Sequence, residues 1–323
     1  MSSDSRVAVV IPAYKVSQQI CGVIEAIPSF VYKIIIVDDA CPEATGDKVR
    51  DSFDDSRITV VKHSENQGVG GAMITGYLEA IKHRSEVIVK LDGDGQMDPR
   101  LIPSLIAPII RGEADYVKGN RFFDIQKIRE MPAIRIFGNL VLSFFSKAST
   151  GYWQIFDPNN GFTAIHHSAL KLIPLEKVSN RYFFESDMLF RLNTSRAVVL
   201  DMPMDASYGV EKSNLSVTKA LFEFPIKHLR NFIKRIIFSY YLRDFTLASL
   251  ELPIGLALTL GGAIAAIYNW VHSANLQQPT PTGTLVLIMM AMLTGIQLIL
   301  SFAAYDIQSV PKTPISKLRE INT

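Results

Sequence analysis

Short apolar runs broken by polar, glycine-containing stretches fill the first third of the chain. Arg6–Ile11, Lys33–Val37, Arg57–Lys62 and Glu86–Leu91 have the length of buried strands. Between them, Ile20–Ile27 and Glu43–Phe53 carry helical spacing, and a helix is predicted from the glycine segment at Gly68 to about Lys82. Asp98-Pro99 opens a fourth helix as N-cap and first-turn proline. Strands that alternate with helices predict an α/β domain with a mostly parallel sheet and helices on both faces. Asp115–Lys118 reads as a further strand leading into Gly119-Asn120-Arg121, and a helix begins near Pro132. That helix carries Ile134, Phe137, Leu140, Val141, Phe144 and Phe145. Period alone does not separate a core helix from one lying on a membrane or lining a lipid site.

The pattern changes after residue 225. Ile226, Leu229, Ile233, Ile236, Ile237 and Tyr240 form one face of a helix, with Lys227, Arg230 and Lys234 opposite. This is the amphipathic, basic pattern of an interfacial helix. Leu252–Val271 and Leu285–Ala304 then run without a charge, each long enough to cross a hydrocarbon core of about 30 Å. Trp270 and Tyr305 stand at their ends as interfacial anchors would. The connection His272–Gly283 has no Lys, Arg, Asp or Glu, whereas Lys227, Arg230, Lys234, Arg235 and Arg243 precede the pair and Lys312, Lys317 and Arg319 follow it. The positive-inside rule predicts an external connection and two cytoplasmic termini.

Composition adds less. The chain of 323 residues is 48% hydrophobic, and the excess lies in the two apolar segments. A formal net charge of +2 excludes no partner class, but no basic patch calls for nucleic acid. Cys21 and Cys41 make no disulfide framework, and the six histidines are scattered without zinc spacing. Met1–Arg6 lacks the apolar region of a signal peptide.

Candidate chemistry gathers where the strands end. In a parallel sheet the carboxyl ends share one edge, where ligands bind. Tyr14, Asp38, Asp39, Asn66, Asp92 and Asp94 all follow strands and so converge there. Asp92 and Asp94, between Gly93 and Gly95, suit a hard cation such as Mg²⁺ or Mn²⁺ that also binds substrate phosphates. A dinucleotide-binding turn does not fit: Gly68-Val69-Gly70-Gly71-Ala72 follows the third strand, and Met73 stands where the third glycine would be.

Ile11-Pro12-Ala13-Tyr14, Val37-Asp38-Asp39, Asn66-Gln67-Gly68-Val69-Gly70-Gly71-Ala72 and Asp92-Gly93-Asp94-Gly95-Gln96, in this order, resemble the family 2 glycosyltransferases of GT-A fold. The resemblance is to the polyprenyl-phosphate branch, the dolichol-phosphate mannose synthases and bactoprenol glucosyltransferases, and covers roughly residues 6–215. It implies that Pro12, Ala13, Tyr14, Asp38, Asp39, Asn66, Gly70, Asp92 and Gly93 bind the nucleotide, and that Asp94, Gln96 and Asp92 hold the metal and diphosphate. Asp157, in Asp157-Pro158-Asn159-Asn160-Gly161-Phe162, resembles an acid that faces the sugar, and Lys212 a basic residue brought to the acceptor phosphate. Glu185 sits where many relatives carry an acidic pair, and it reads equally as a structural hydrogen-bonding group among Phe184, Met188 and Leu189. The mannose synthases usually carry Glu where this chain has Val16, so UDP-glucose is expected over a guanine nucleotide.

The expected organisation is therefore a cytoplasmic GT-A domain at 1–215, juxtamembrane amphipathic helices at 216–244, a transmembrane hairpin at 245–306 and a cytoplasmic tail at 307–323. The expected reaction is inverting transfer of a hexose, glucose before mannose, to polyprenyl phosphate, with a bilayer and further copies of the chain as partners. Arg121, Arg135 and Lys212 are the candidates for clamping the acceptor phosphate, since an Arg fork binds phosphate oxygens bidentately. Asp94 is the catalytic metal ligand, and Asp157 is expected to orient rather than to deprotonate. A processive polysaccharide synthase is a weaker reading because Trp153 and Trp270 are the only tryptophans and neither follows an arginine. A non-enzymatic scaffold fits less well because every metal-site residue is present.

Overall fold

Val7–Ala13 (β1), Lys33–Asp38 (β2), Ile58–Lys62 (β3) and Val87–Lys90 (β4) lie side by side as parallel strands. The first is longer than its apolar run, because Pro12 and Ala13 continue to pair with Val37 and Asp38. In the computed structural model, residues 5–121, 133–158, 160–204 and 217–320 are described. Three more strands, Tyr116–Asn120 (β5), Thr163–His166 (β6) and Val199–Pro203 (β7), complete a sheet of order β3-β2-β1-β4-β6-β5-β7.

Strand β6 is the exception to the parallel pattern. It runs antiparallel to both β4 and β5, with Lys90 opposite Thr163 and Lys118 opposite the same residue. Its amino-terminal end therefore lies at the edge where the other strands have their carboxyl ends. The segment before it, Phe156–Phe162, is delivered to that edge by this reversal. Neither the antiparallel insertion nor β7 is legible in the apolar pattern, because β6 is only four residues long.

Helices Ile20–Glu25 (α1), Thr45–Ser52 (α2), Gly68–Lys82 (α3) and Ile102–Ile110 (α4) connect the early strands. Alternate strand residues face opposite ways. Val9, Ile11, Ile34 and Ile36 join Ile20, Val23, Ile24, Leu105 and Ile106 in one core cluster. Val10 turns to the other face, where it lies against Gly76 of α3. Both faces are thus covered, as the alternation predicts. Asp98 accepts the Arg100 N–H at 2.9 Å and caps a single 3₁₀ turn that leads into α4.

Two amphipathic helices present their apolar sides outward. On Ala133–Thr150 (α5), Leu140, Val141, Phe144 and Phe145 are exposed, while Ser143, Ser146, Ser149 and Thr150 are buried. This excludes the core-helix reading for that apolar face. On Val217–Ile237 (α8, after the short α6 at His167–Leu170 and α7 at Phe184–Thr194), Ile226 and Leu229 are exposed while His228 and Asn231 are buried. The inner, polar sides bond into the domain: Ser149 Oγ to His228 Nδ1 at 2.7 Å and Asn231 Nδ2 to Asp187 at 3.2 Å. His228, buried without a charged neighbour, is pushed down to a pKa of about 4 and is neutral.

Met1–Phe232 with Pro311–Thr323 forms one compact unit and Ile233–Val310 the other. The second holds Leu247–Leu276 (α9) and Thr282–Gln308 (α10), both long and apolar enough to cross a membrane, with only 11% and 17% of their most apolar windows buried. Gly255 and Gly295 let the two backbones approach: a Cβ on Gly255 would lie 2.9 Å from the Gly295 carbonyl oxygen. Small residues at a helix crossing serve this purpose where lipid supplies no hydrophobic drive. Within the same unit Arg235 forms a two-point pair with Asp306, at 2.6 and 2.9 Å, and Tyr240 OH adds a third bond to that carboxylate at 2.7 Å.

The carboxyl-terminal segment belongs to the first unit. Ile315–Glu320 (α11) begins on Asp115, whose carboxylate accepts the N–H groups of Ile315 and Val198 at 2.9 Å and of Ser316 at 3.3 Å. Part of the segment read as a cytoplasmic tail is therefore docked on the domain. Replacing Asp115 by Ala strands buried N–H donors at a cost of about 1–3 kcal/mol each at most. Asp115→Ala should lower the unfolding temperature and open residues 311–320 to limited proteolysis. Unchanged proteolysis of that segment would show that the carboxylate does not hold it.

Candidate active site

The carboxyl ends of β1, β2 and β4 bring the predicted nucleotide residues to one edge, but the two acids after β2 are consumed internally. Asp38 is fully buried, and its oxygens accept the N–H groups of Cys41 at 2.8 Å and Gly46 at 2.7 Å. It closes the turn into α2 and faces no solvent. Asp39 accepts from Gln67 N and Gly68 N, each at 2.8 Å, and lies 2.7 Å from His63 Nδ1. His63 Nε2 in turn meets Thr75 Oγ1 at 2.9 Å. Asp39 therefore holds the start of the glycine segment, and Asn66 Nδ2 bonds its carbonyl at 3.3 Å. Gly70 packs directly on the Ser179–Asn180 backbone, so close helix packing accounts for it.

Tyr14 is exposed on the same edge, with Lys15 Nζ 5.4 Å above its ring. Pro12 is partly exposed and Ala13 buried. Val16 is buried against Gly93, where it supports the acidic motif from below. Asp92 and Asp94 are both partly exposed, and Asp94 Oδ1 accepts the Gln96 N–H at 3.0 Å across the Gly95 turn, where φ is +77°. Among the described residues no three His, Cys, Asp or Glu side chains are grouped to hold a metal. Two acids of a turn nevertheless fit a cation that completes its shell with phosphate oxygens and water.

The reversed strand β6 puts Asp157 beside these groups. Asp157 is buried, and both its oxygens are taken by Arg121, from Nε at 2.8 Å and Nη2 at 3.1 Å. The Arg121 side chain stays partly exposed while Asp157 beneath it is buried. Lys118 Nζ donates to the Asn160 carbonyl, and Asp201 on β7 accepts from Phe156 N at 2.9 Å and Asn120 Nδ2 at 3.1 Å. Three polar side chains from β5 and β7 thus fasten one loop. Arg135 lies on α5, but its side chain is outside the described residues, as is Lys212.

Beneath the motif lies chemistry that the sequence reading passed over. Lys90, on β4, is fully buried, with its ammonium 2.9 Å from Asp92 Oδ1 and 3.1 Å from Glu185 Oε1. Burial alone would lower its pKa, but the two carboxylates reverse that and hold the lysine charged. Lys118, also fully buried, is pushed down to about 8 by burial, against the pull of Glu185 and Asp157. Burial pushes Asp201 up to about 6. The available signal was a lysine inside an apolar strand run, at Lys90 and again at Lys118, since such a charge stays buried only with partners.

Comparison with known proteins identifies the class. The family model for glycosyl transferase family 2 matches residues 8–173. A UDP-N-acetylglucosamine–dolichyl-phosphate N-acetylglucosaminyltransferase of Methanococcus voltae is 30% identical over 69% of this chain and 94% of that protein. An undecaprenyl-phosphate mannosyltransferase of Micrococcus luteus is 26% identical over 62% of this chain and 82% of its own length. The fold matches glucosyl-3-phosphoglycerate synthase of Mycobacterium tuberculosis, crystallised with Mn²⁺, UDP and glucosyl-3-phosphoglycerate, at a TM-score of 0.52 and 17% identity, over 72% of this chain and 80% of that one. The chain belongs to glycosyl transferase family 2 and is a glycosyltransferase of GT-A-like fold.

The environment of Asp201 predicts a pH effect on stability. Its folded pKa of about 6 lies above the ordinary aspartate value of 3.8, so the folded state binds more protons between those values. The resulting stabilisation is complete below the unfolded pKa and is lost as pH rises through about 6. Asp201→Asn should therefore flatten the fall in unfolding temperature between about pH 4 and pH 6.5. An equally steep fall in the variant would remove Asp201 as its source.

Proposed function

We propose that this enzyme transfers a hexosyl group from a UDP-sugar to a polyprenyl phosphate at the cytoplasmic face of a membrane, with inversion. The observation that carries the reading is a family 2 glycosyltransferase site on the same chain as two helices able to cross a membrane. The outward apolar faces of α5 and α8 support a lipid acceptor, because such faces lie naturally at a bilayer surface. The relatives named as dolichyl- or undecaprenyl-phosphate transferases agree in acceptor class.

A divalent cation, Mg²⁺ or Mn²⁺, would be held by Asp94 with Gln96 and Asp92 and would neutralise the departing diphosphate. The chain's own residues do the rest. Tyr14, with Pro12, Ala13 and Asn66, borders the place for base and ribose. The Asp39–Gly68 bonds keep the glycine turn closed beside it. The acceptor phosphate is largely ionised at neutral pH, its second pKa being about 6. It needs placing rather than deprotonation, and Arg121, held from behind by Asp157, is built for placing it. Asp157 would have to release Arg121 before acting as a base.

UDP-glucose is our preferred donor, on Val16 and the two-span organisation. UDP-N-acetylglucosamine is the rival that one relative's name raises, and GDP-mannose is the mannosyl donor to set beside it, since another relative is named a mannosyltransferase. A panel of the three with undecaprenyl phosphate and purified protein, scored for lipid-linked product, decides among them. Asp94→Asn and EDTA should each abolish product, and Arg121→Ala should raise the acceptor KM while UDP binding persists. Full activity in EDTA would refute the metal assignment, and no lipid-linked product from any donor would refute the acceptor class.

Two spans joined by one short connection put both ends of the α9–α10 hairpin on the same side of a bilayer. With the basic residues flanking the pair, that side is the cytoplasm. Assembly of copies through the apolar faces of α9 and α10 is part of the same reading. A cysteine placed at residues 274–282 should react with an impermeant thiol reagent from outside intact cells, and one at Ser2 should not. The reverse labelling would invert the topology.

A further inference from the structure

We propose that Lys90 is the positioning residue of the Asp92-Gly93-Asp94 turn, and that it sets the charge of this turn so that cation and nucleotide diphosphate enter together. The inference extends the metal-dependent reading given above. Its basis is an ion-paired triad of which the proposed chemistry uses Asp92 alone and leaves Lys90 and Glu185 without a role. Lys90 Nζ bridges Asp92 Oδ1 at 2.9 Å and Glu185 Oε1 at 3.1 Å, and Lys90 itself is 1% exposed. Glu185 comes from α7, far along the chain, and is also buried.

The bridge is tight on the side where the β6 loop crosses it. A Cβ on Gly161 would fall 2.6 Å from Asp92 Oδ2 and closer still to Lys90 Nζ, so only glycine lets the β6 loop pass over the pair. Asp92 is thereby confined between an ammonium on one oxygen and a backbone on the other. Its carboxylate cannot rotate to follow a cation without abandoning Lys90.

The charge consequence is direct. Asp92, Glu185 and Lys90 together carry one net negative charge. Without the lysine they would carry two, at short range, on a buried Glu185 and on a partly exposed Asp92 close to Asp94 in the chain. Such a group of acids would draw a divalent cation by itself, since at an effective dielectric of about 20 each close charge pair is worth several kcal/mol. With Lys90 in place the acids are partly cancelled, and the diphosphate must supply the remaining negative charge. Metal binding then waits for the donor.

The test is Mn²⁺ binding followed by the EPR signal of the free ion, on full-length protein in detergent, with and without UDP. Lys90→Met should tighten Mn²⁺ binding in the absence of UDP by roughly tenfold or more, and raise the KM for the UDP-sugar. Unchanged nucleotide-free Mn²⁺ affinity in a folded Lys90→Met protein overturns the proposal. Should that variant not fold, Lys90→Met/Glu185→Gln restores the net charge. It should return nucleotide-free Mn²⁺ affinity to the wild-type value but keep the raised donor KM, because Asp92 has lost its anchor. A wild-type donor KM in this double variant also overturns the proposal. The wild-type arm with UDP stands apart: no Mn²⁺ uptake there refutes the metal reading itself, whichever way the lysine variants behave.

Discussion

A lysine with no path to water lies under the acidic motif, and much of the catalytic edge is arranged to satisfy it. A buried charge is tolerated only when paired and hydrogen-bonded, and breaking such a pair typically costs about 3–5 kcal/mol. Lys90 draws Asp92 from its own strand end and Glu185 from α7. It admits only a glycine where the β6 loop crosses. Three distant parts of the chain are brought into register by one ammonium.

The same principle repeats one strand away. Lys118, Arg121 and Asp201 fasten the segment from Phe156 to Asn160, and they do so because β6 runs against its neighbours. A parallel β6 would have sent that segment to the opposite end of the sheet, and Asp157 with it. The reversal is therefore what brings the Asp157 segment to the edge where the strand-end acids lie. Rigid support of this kind suits the proposed reaction, in which the placing of both substrates counts for more than the movement of a proton.

On the outer surface the usual arrangement of amphipathic helices is turned around. Ser149, His228 and Asn231 face inward and bond, while Leu140, Phe144, Ile226 and Leu229 face out. In water this wastes apolar surface; against lipid it does not. The inner polar contacts hold the helices to the domain without hydrophobic burial, so the apolar faces stay available to a bilayer.

What the sequence determined by itself was everything carried by local pattern. The alternation of strands and helices, the acids and glycines at strand ends, and two charge-free segments of membrane length follow from periodicity and composition, which need no partner elsewhere in the chain. What only the tertiary structure decided was how polar groups pair across long separations. Asp38 and Asp39 have the same sequence signature as ligand-facing acids, yet both are filled by backbone N–H groups, one set nearby and one from the glycine segment. The direction of β6, the docking of Ile315 on Asp115 and the bridge from Lys90 to Glu185 were equally hidden. The physical reason is common to all of them. A local pattern states whether a residue is buried, whereas the charge it meets there depends on which remote segment the fold brings across.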